Sequence, residues 1–239
     1  MSSIKPVFKG SNLNKETFKQ STCLLTISVG QEVHEGDKFA ATLDLVNASF
    51  GSAILLIDDS LQRHSMALDK NQDADDFYDI SILEGDRWLA RNKKYYQNLR
   101  ILRDIIRWDT WLKHPKYSPQ QQTIQSLMAN EADYQASFDN TIDEFLRRYY
   151  PRLLDQQDFD SQRARRLCLD YLIEECTALC LWTELNCHYE VYPSKRNLAM
   201  EETHKRLVLP VYSELLHPIA IKFKNRKQLK PQQFIQTEA

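Results

Sequence analysis

Three short segments carry side chains whose types and spacing could do chemistry. Ser28 lies near the end of the apolar run TCLLTISV (residues 22–29), just ahead of Gly30 and Gln31. The run is rich in β-branched residues and predicts a buried strand that ends in a turn. Ser28 then sits at the carboxyl end of a strand, where open α/β sheets keep their ligand crevice. A hydroxyl there is either a nucleophile or a serine that caps the following helix. In LDYLIEECTAL, Tyr171 and Glu175 are four residues apart, so a helix places them on one face. Such a pair can grip an ammonium group, the carboxylate by charge and the phenol by a hydrogen bond. An exposed pair is the alternative, and the adjacent Glu174 reads as a solubilising acid. In EVYPS (190–194), strand periodicity puts Glu190 and Tyr192 on the same face, and Pro193 ends the pairing. Tyr192 could pass a proton or simply pack at a strand end, since a phenol of pKa about 10 is a weak acid or base without help.

Other chemistries are excluded by what the sequence lacks. There is no GxSxG elbow and no HGGG stretch, and the six histidines are scattered. His34, near Ser28 in the chain, is expected on a loop, so no Ser-His-Asp triad is indicated. With five glycines there is no GxGxxG and no GxxxxGK[ST], hence no phosphate cradle for a nucleotide cofactor. The five cysteines form no CxxC and no matched Cys/His spacing, so neither a metal site nor a disulfide framework is expected. Cys176 and Cys180 read as packed thiols on a helix.

Elements that could position these residues follow from periodicity. Lys38–Asn47 has apolar residues at helical spacing, and Ala53–Ile57 is a second buried strand ending in Asp58 and Asp59. Strand, helix, strand is a βαβ unit with parallel strands. Long helical patterns cover Ala74–Arg107, with a break expected near Gly85, then Gln120–Tyr150 and Ser161–Trp182, the last two separated by Pro151. His188–Tyr192 and Ile219–Phe223 are further short strands, the second preceded by a helical stretch from Pro210. The fold class is therefore α/β, a parallel sheet flanked by helices, with residues 1–224 as one domain and 225–239 as a polar, flexible tail. No apolar run approaches a membrane span and no signal-like segment opens the chain, which predicts a cytoplasmic protein.

A net charge of −2 gives no overall attraction to nucleic acid, but the charge is uneven. An acidic stretch, Asp69–Glu84, precedes a basic one, Arg87–Arg107. On a continuous helix Lys93, Arg100, Arg103 and Arg107 fall within an arc of roughly 80°, opposite Tyr95, Leu99, Leu102 and Ile106. One face would pack and the other would be either solvated or a phosphate contact.

Taken together, the Ser28-Val-Gly30 segment, the Tyr171-xxx-Glu175 helix and the Tyr192-Pro193 pair resemble the tRNA-dependent cyclodipeptide synthases, in order and spacing, from about Cys23 to Phe223. Gln31 and Tyr192-Pro193 are similar to the subfamily that has Tyr-Pro at the late motif. The resemblance implies a Rossmann-like fold similar to the catalytic domain of tyrosyl- and tryptophanyl-tRNA synthetases. It implies no cofactor, a monomer, and two aminoacyl-tRNAs as substrates that arrive already activated as esters. By the same resemblance Ser28 is transiently aminoacylated, Tyr171 and Glu175 hold the ammonium, Tyr192 relays a proton, and the basic helix meets tRNA. No base for Ser28 is legible, and the expectation is that the ribose hydroxyl of the tRNA assists. Glu190 on the face of Tyr192 suggests a small or polar aminoacyl group. The competing class is a non-catalytic RNA-binding protein of the same fold.

Overall fold

The computed structural model describes residues 4–9, 15–68, 70, 72–153 and 160–225. In chain order the elements are β1 (Ile4–Lys9), α1 (Lys15–Phe18), β2 (Thr22–Ser28), α2 (Gly36–Ser49), β3 (Ser52–Asp58), α3 (Arg63–Leu68), α4 (Tyr78–Tyr96), β4 (Leu102–Arg107), α5 (Asp109–Leu112), α6 (Tyr117–Asn130), α7 (Ala132–Leu153), α8 (Ser161–Leu181), β5 (Tyr189–Tyr192), α9 (Leu198–Thr203) and β6 (His217–Asn225). The strands form one six-stranded sheet in the order β1-β6-β5-β2-β3-β4. All neighbours are parallel except β1, which pairs antiparallel with β6 at the edge. This is a Rossmann-like α/β fold.

Helices cover both faces of the sheet, which is why β2 and β3 read as continuous apolar runs rather than alternating ones. Leu24, Ile54 and Leu56 face a core built with Trp108, Phe138 and the α8 residues Leu172 and Leu179. Cys23, Leu25, Ile27, Ala53, Leu55 and Ile57 point the other way, to Phe39, Val46 and Trp88. Each such Leu or Ile, fully removed from water, stabilises the fold by about 1.5–3 kcal/mol. The β2-α2-β3 connection is the expected βαβ unit, with its two strands paired in parallel.

The basic segment departs from the helical expectation. α4 ends at Tyr96, a turn follows, and Leu102–Arg107 is β4, paired with β3. Ile105 packs in one core and Ile106 in the other, the period of two that a strand imposes. With both faces apolar, this short strand mimics helical spacing in the sequence. Lys93 on α4, Arg100 in the turn and Arg103 and Arg107 on β4 therefore share no helical face. Gly85 does not break α4 either. It lies mid-helix, where a Cβ would stand 2.7 Å from the Arg107 guanidinium and from Asp59 Cβ. The missing side chain lets α4 approach β3 and β4 closely.

Smaller corrections have equally local causes. β1 carries only a six-residue edge pairing and leaves a weak pattern. The helix expected over 120–150 is interrupted at Glu131, whose backbone is extended, and α7 runs through Pro151 to Leu153. No helix begins at Pro210; α9 instead continues into a π-helical turn at His204–Val208. β6 extends to Asn225, one residue into the predicted tail, and 226–239 lie outside the described residues.

Candidate active site

The sheet changes direction between β2 and β5: from β2 the chain goes out to β3 and β4, then returns to add β5 on the other side. At such a switch point the connections leave in opposite directions and open a crevice at the carboxyl ends of the strands. Ser28 ends β2, Tyr192 ends β5 and Asp58 ends β3. All three line a cavity of about 580 Å³, within the range of small-molecule sites. Gln31, Tyr171, Glu175 and Glu190 line it too.

Ser28 is held from both ends. Its hydroxyl is 3.0 Å from the Tyr192 hydroxyl and 3.5 Å from Asp58 Oδ2. Its carbonyl accepts from the Gln31 amide, closing a turn in which Gly30 has φ +86°, a left-handed conformation that favours glycine. Gly30 thereby swings the chain away and leaves the Ser28 hydroxyl facing the cavity. Pro193 follows Tyr192 outside the cavity lining, where it cannot extend the strand pairing.

His34 is not on an open loop. It is fully buried in the turn Glu32–His34, its Nδ1 lies 3.0 Å from the Ser28 amide, and its carbonyl accepts from Trp88 Nε1. Burial pushes the imidazole down to about 4, so the ring is neutral at physiological pH. It fixes the Ser28 main chain and contacts the Tyr192 ring. Proximity in sequence was the available signal, but the contact is to backbone rather than to the hydroxyl.

Across the cavity, α8 presents Tyr171 and Glu175. The Tyr171 phenol helps hold the Glu175 carboxyl down, and Asn197 Nδ2 donates to Glu175 Oε2 at 2.9 Å. Asn197 also caps α9, accepting from the Met200 amide, which locks the orientation of its side chain. Burial, reinforced by Glu190, pushes the Glu175 carboxyl up to about 7. It is thus a buried acid on the edge of ionisation, a site that gains from an arriving cation. Asn197 was not singled out from sequence.

Glu174, one residue earlier, points elsewhere because a helix turns about 100° per residue. It is buried, not solvated. It accepts from both terminal nitrogens of Arg63 at 2.8 and 2.5 Å, from Trp108 Nε1 at 2.7 Å and lies 3.3 Å from His64 Nε2. Burial alone would raise its carboxyl, but the His64 and Arg63 hydrogen bonds outweigh that and hold it below the ordinary glutamate value. This hub ties α8 to α3 and to the end of β4, and so sets the rotation of α8 that aims Tyr171 and Glu175 inward.

Glu190 and Tyr192 do share a face, and Glu190 is ion-paired with the buried guanidinium of Arg196. The polar wall there is a salt bridge, not a lone carboxylate. Arg196 was not singled out from sequence, because nothing local distinguishes it from a surface arginine. Of the basic residues, Arg107 is neutralised by Asp59 and Asp86 and donates to the Ile82 carbonyl at 2.8 Å. Arg103 donates to the Leu185 carbonyl, and Lys93 and Arg100 are exposed.

Glu175→Gln provides a two-sided check on the cavity. A carboxyl raised in the folded state favours the protonated form. Its stabilising contribution is present below the unfolded value near 4.5 and is lost as pH rises to about 7. Removing the charge should raise stability at pH 8 by on the order of 2–3 kcal/mol, read by urea denaturation at pH 5 and 8. No pH-dependent gain would mean that Glu175 is not a buried acid near its ionisation point.

The fold, with a serine at the switch point of the sheet and no phosphate loop in the sequence, defines a class of Rossmann-like α/β proteins whose crevice needs no nucleotide cradle. A Mycobacterium tuberculosis protein whose structure relates cyclodipeptide synthetases to type I tRNA synthetases matches at TM-score 0.61, 10% identity, covering 93% of this chain and 92% of that one. A cyclodipeptide synthase from Candidatus Glomeribacter gigasporarum bound to Phe-tRNAPhe matches at TM-score 0.71, 18% identity, covering 91% and 93%. These two speak for the fold alone. A CDPS from Fluoribacter dumoffii matches at TM-score 0.88 and 42% identity over 92% of this chain and 99% of that one. The chain belongs to the cyclodipeptide synthase family. No family model and no curated protein matches it. Among the described residues no helix is long and apolar enough to cross a membrane.

Proposed function

We propose that the protein joins the aminoacyl groups of two aminoacyl-tRNAs into a diketopiperazine, with Ser28 as the covalent carrier. The observation that supports it most is the Ser28 hydroxyl at a strand end, bonded to Tyr192 and facing the same cavity as the Tyr171-Glu175 pair. Ser28 attacks the ester of the first aminoacyl-tRNA and releases tRNA. The ammonium of the aminoacyl-enzyme rests against Glu175 and Tyr171, where a buried acid near its ionisation point supplies the countercharge. As the free amine it then attacks the second ester, giving a dipeptidyl-enzyme and a second free tRNA. The new terminal amine attacks the Ser28 ester, a proton crosses by way of Tyr192, and the ring leaves. Covalent capture divides a three-body condensation into transfers that each start from an activated acyl group, so no nucleotide is needed.

Gln31 with Tyr192-Pro193 supports membership of the Tyr-Pro subfamily. The Glu190-Arg196 pair in the lining favours a small or polar aminoacyl group, because a large apolar one would desolvate that ion pair without replacing its hydrogen bonds. For tRNA, Lys93, Arg100 and Arg103 remain exposed, whereas Arg107 is committed to its carboxylates. Residues 1–224 act as one catalytic domain, as a monomer. Expression in a bacterial host followed by mass spectrometry of the medium is the test: a cyclic dipeptide absent from the empty host is expected. Its absence, with tRNA binding retained, would favour a non-catalytic RNA-binding protein.

A further inference from the structure

We propose that Asp58 is a catalytic residue, the acid-base partner that takes the Ser28 proton and returns it. The proposal rests on the reading of Ser28 as nucleophile and deepens it. Asp58 ends β3, directly opposite Ser28 in the parallel register of β2 and β3. Its Oδ2 lies 3.5 Å from the Ser28 hydroxyl, a long contact of the kind that tightens when substrate is bound.

The other candidates fall away on geometry and chemistry. His34 Nδ1 is turned to the Ser28 main chain, 3.0 Å from the amide and 3.2 Å from the carbonyl. Burial pushes the Tyr192 phenol up to about 12, which makes it a relay but a poor resting acceptor. Glu175 is occupied by Asn197.

A structural role explains Asp58 badly. It caps no helix, and its Oδ1 is buried with no hydrogen-bond partner among the described residues. A buried oxygen left unpaired costs about 1–3 kcal/mol, and such exceptions need a reason. Burial first, then Glu175 of α8, Asp59 beside it and Glu190 of β5, raise its carboxyl well above the ordinary aspartate value, while the Ser28 hydrogen bond works the other way. Tyr171, Tyr192 and Arg196 line the same cavity, as do Glu144, Arg148, Cys168 and Lys195. A raised carboxyl is a stronger base than an ordinary one and holds its proton long enough to give it back.

In acylation the Oγ–C bond forms and the ester C–O bond to the ribose breaks; the Oγ proton passes to Asp58 Oδ2 and from there to the departing ribose oxygen. In cyclisation the amide C–N bond forms and Oγ–C breaks. One N–H proton reaches Asp58, through the Tyr192 hydroxyl, and ends on Oγ. Each transfer leaves Asp58 as it began.

The experiment is single-turnover labelling of the full chain with pooled bacterial tRNA charged with radiolabelled amino acids, for native protein, Ser28→Ala, Asp58→Asn and Asp58→Ala. Native labelling that is absent in Ser28→Ala, with Asp58→Asn slowed about 10²–10⁴-fold at unchanged tRNA affinity, is the expected result. The native rate should rise with pH through a carboxyl ionisation that Asp58→Asn lacks. Formate should restore part of the rate to Asp58→Ala, which a merely structural loss would not permit. Labelling of Asp58→Asn at the native rate, or Asp58→Ala that formate leaves unchanged, overturns the role of Asp58 alone. No labelling of native protein overturns the Ser28 reading and this one with it.

Discussion

Ser28→Ala is expected to abolish the covalent aminoacyl-protein and the cyclic product while leaving the fold intact. The loss is total on the assay scale because no neighbouring group replaces the nucleophile. Ser65, Thr141 and Ser194 also line the cavity, but none of these hydroxyls is bonded to Tyr192 and Asp58 as Ser28 is, and those of Thr141 and Ser194 donate to backbone carbonyls. The described cysteines are no substitute: Cys168 lines the cavity, but burial pushes its thiol up to about 12. The structural cost is small. The backbone contacts of Ser28, to His34 and the Gln31 amide, do not involve the hydroxyl. What is lost are the hydroxyl contacts to Tyr192 and, at longer range, to Asp58, about 1 kcal/mol for each net hydrogen bond. Intact-protein mass spectrometry reads the adduct, and product analysis reads the ring. A cyclic dipeptide still formed by Ser28→Ala would falsify the covalent route.

The second large effect falls on stability. Glu174→Ala should destabilise the protein by about 3–5 kcal/mol, out of the 5–15 kcal/mol typical of a folded domain. The substitution leaves the Arg63 guanidinium buried without its bidentate partner and orphans Trp108 Nε1. The sign with pH follows from the depressed carboxyl. Its contribution is present above the unfolded value and is lost as pH falls through the folded one, so the native protein should weaken in acid more steeply than Glu174→Ala. Urea denaturation at pH 7 and pH 4 measures both. Replacing Arg63 and Glu174 together with Met and Leu should cost far less than either Ala change alone, because no unpaired charge remains. Equal cost for single and double changes would mean that the pair is not the hub of α8.

Different parts of the molecule were legible to different degrees. β2, β3 and the helix between them announced themselves through continuous apolar runs and a 3.6-residue period. Those signals are local and survive without the rest of the chain. β4 did not, because a short edge strand that sends Ile105 to one core and Ile106 to the other, beside exposed Arg103 and Asp104, has the same composition as a helix flank. Gly85 read as a break because the sequence does not reveal that Asp59 and Arg107 press against it. The residues with chemistry divide the same way. Ser28, Tyr171, Glu175 and Tyr192 were legible as types at revealing positions. Asp58 was visible only as the end of a strand, and Arg196 and Asn197 not at all.

The sequence by itself determined the α/β class, the strand end that carries Ser28, and the helical spacing that pairs Tyr171 with Glu175, all of which depend on periods of two and 3.6 along the chain. Tertiary structure alone decided that β5 returns beside β2 and brings Tyr192 to Ser28, 164 positions away in the chain. It likewise decided that neighbouring glutamates take opposite roles, Glu174 as a paired anchor and Glu175 as a buried acid near neutrality. The reason is physical: burial and partners set the ionisation of a carboxyl, and both are properties of the packed chain, not of the residue.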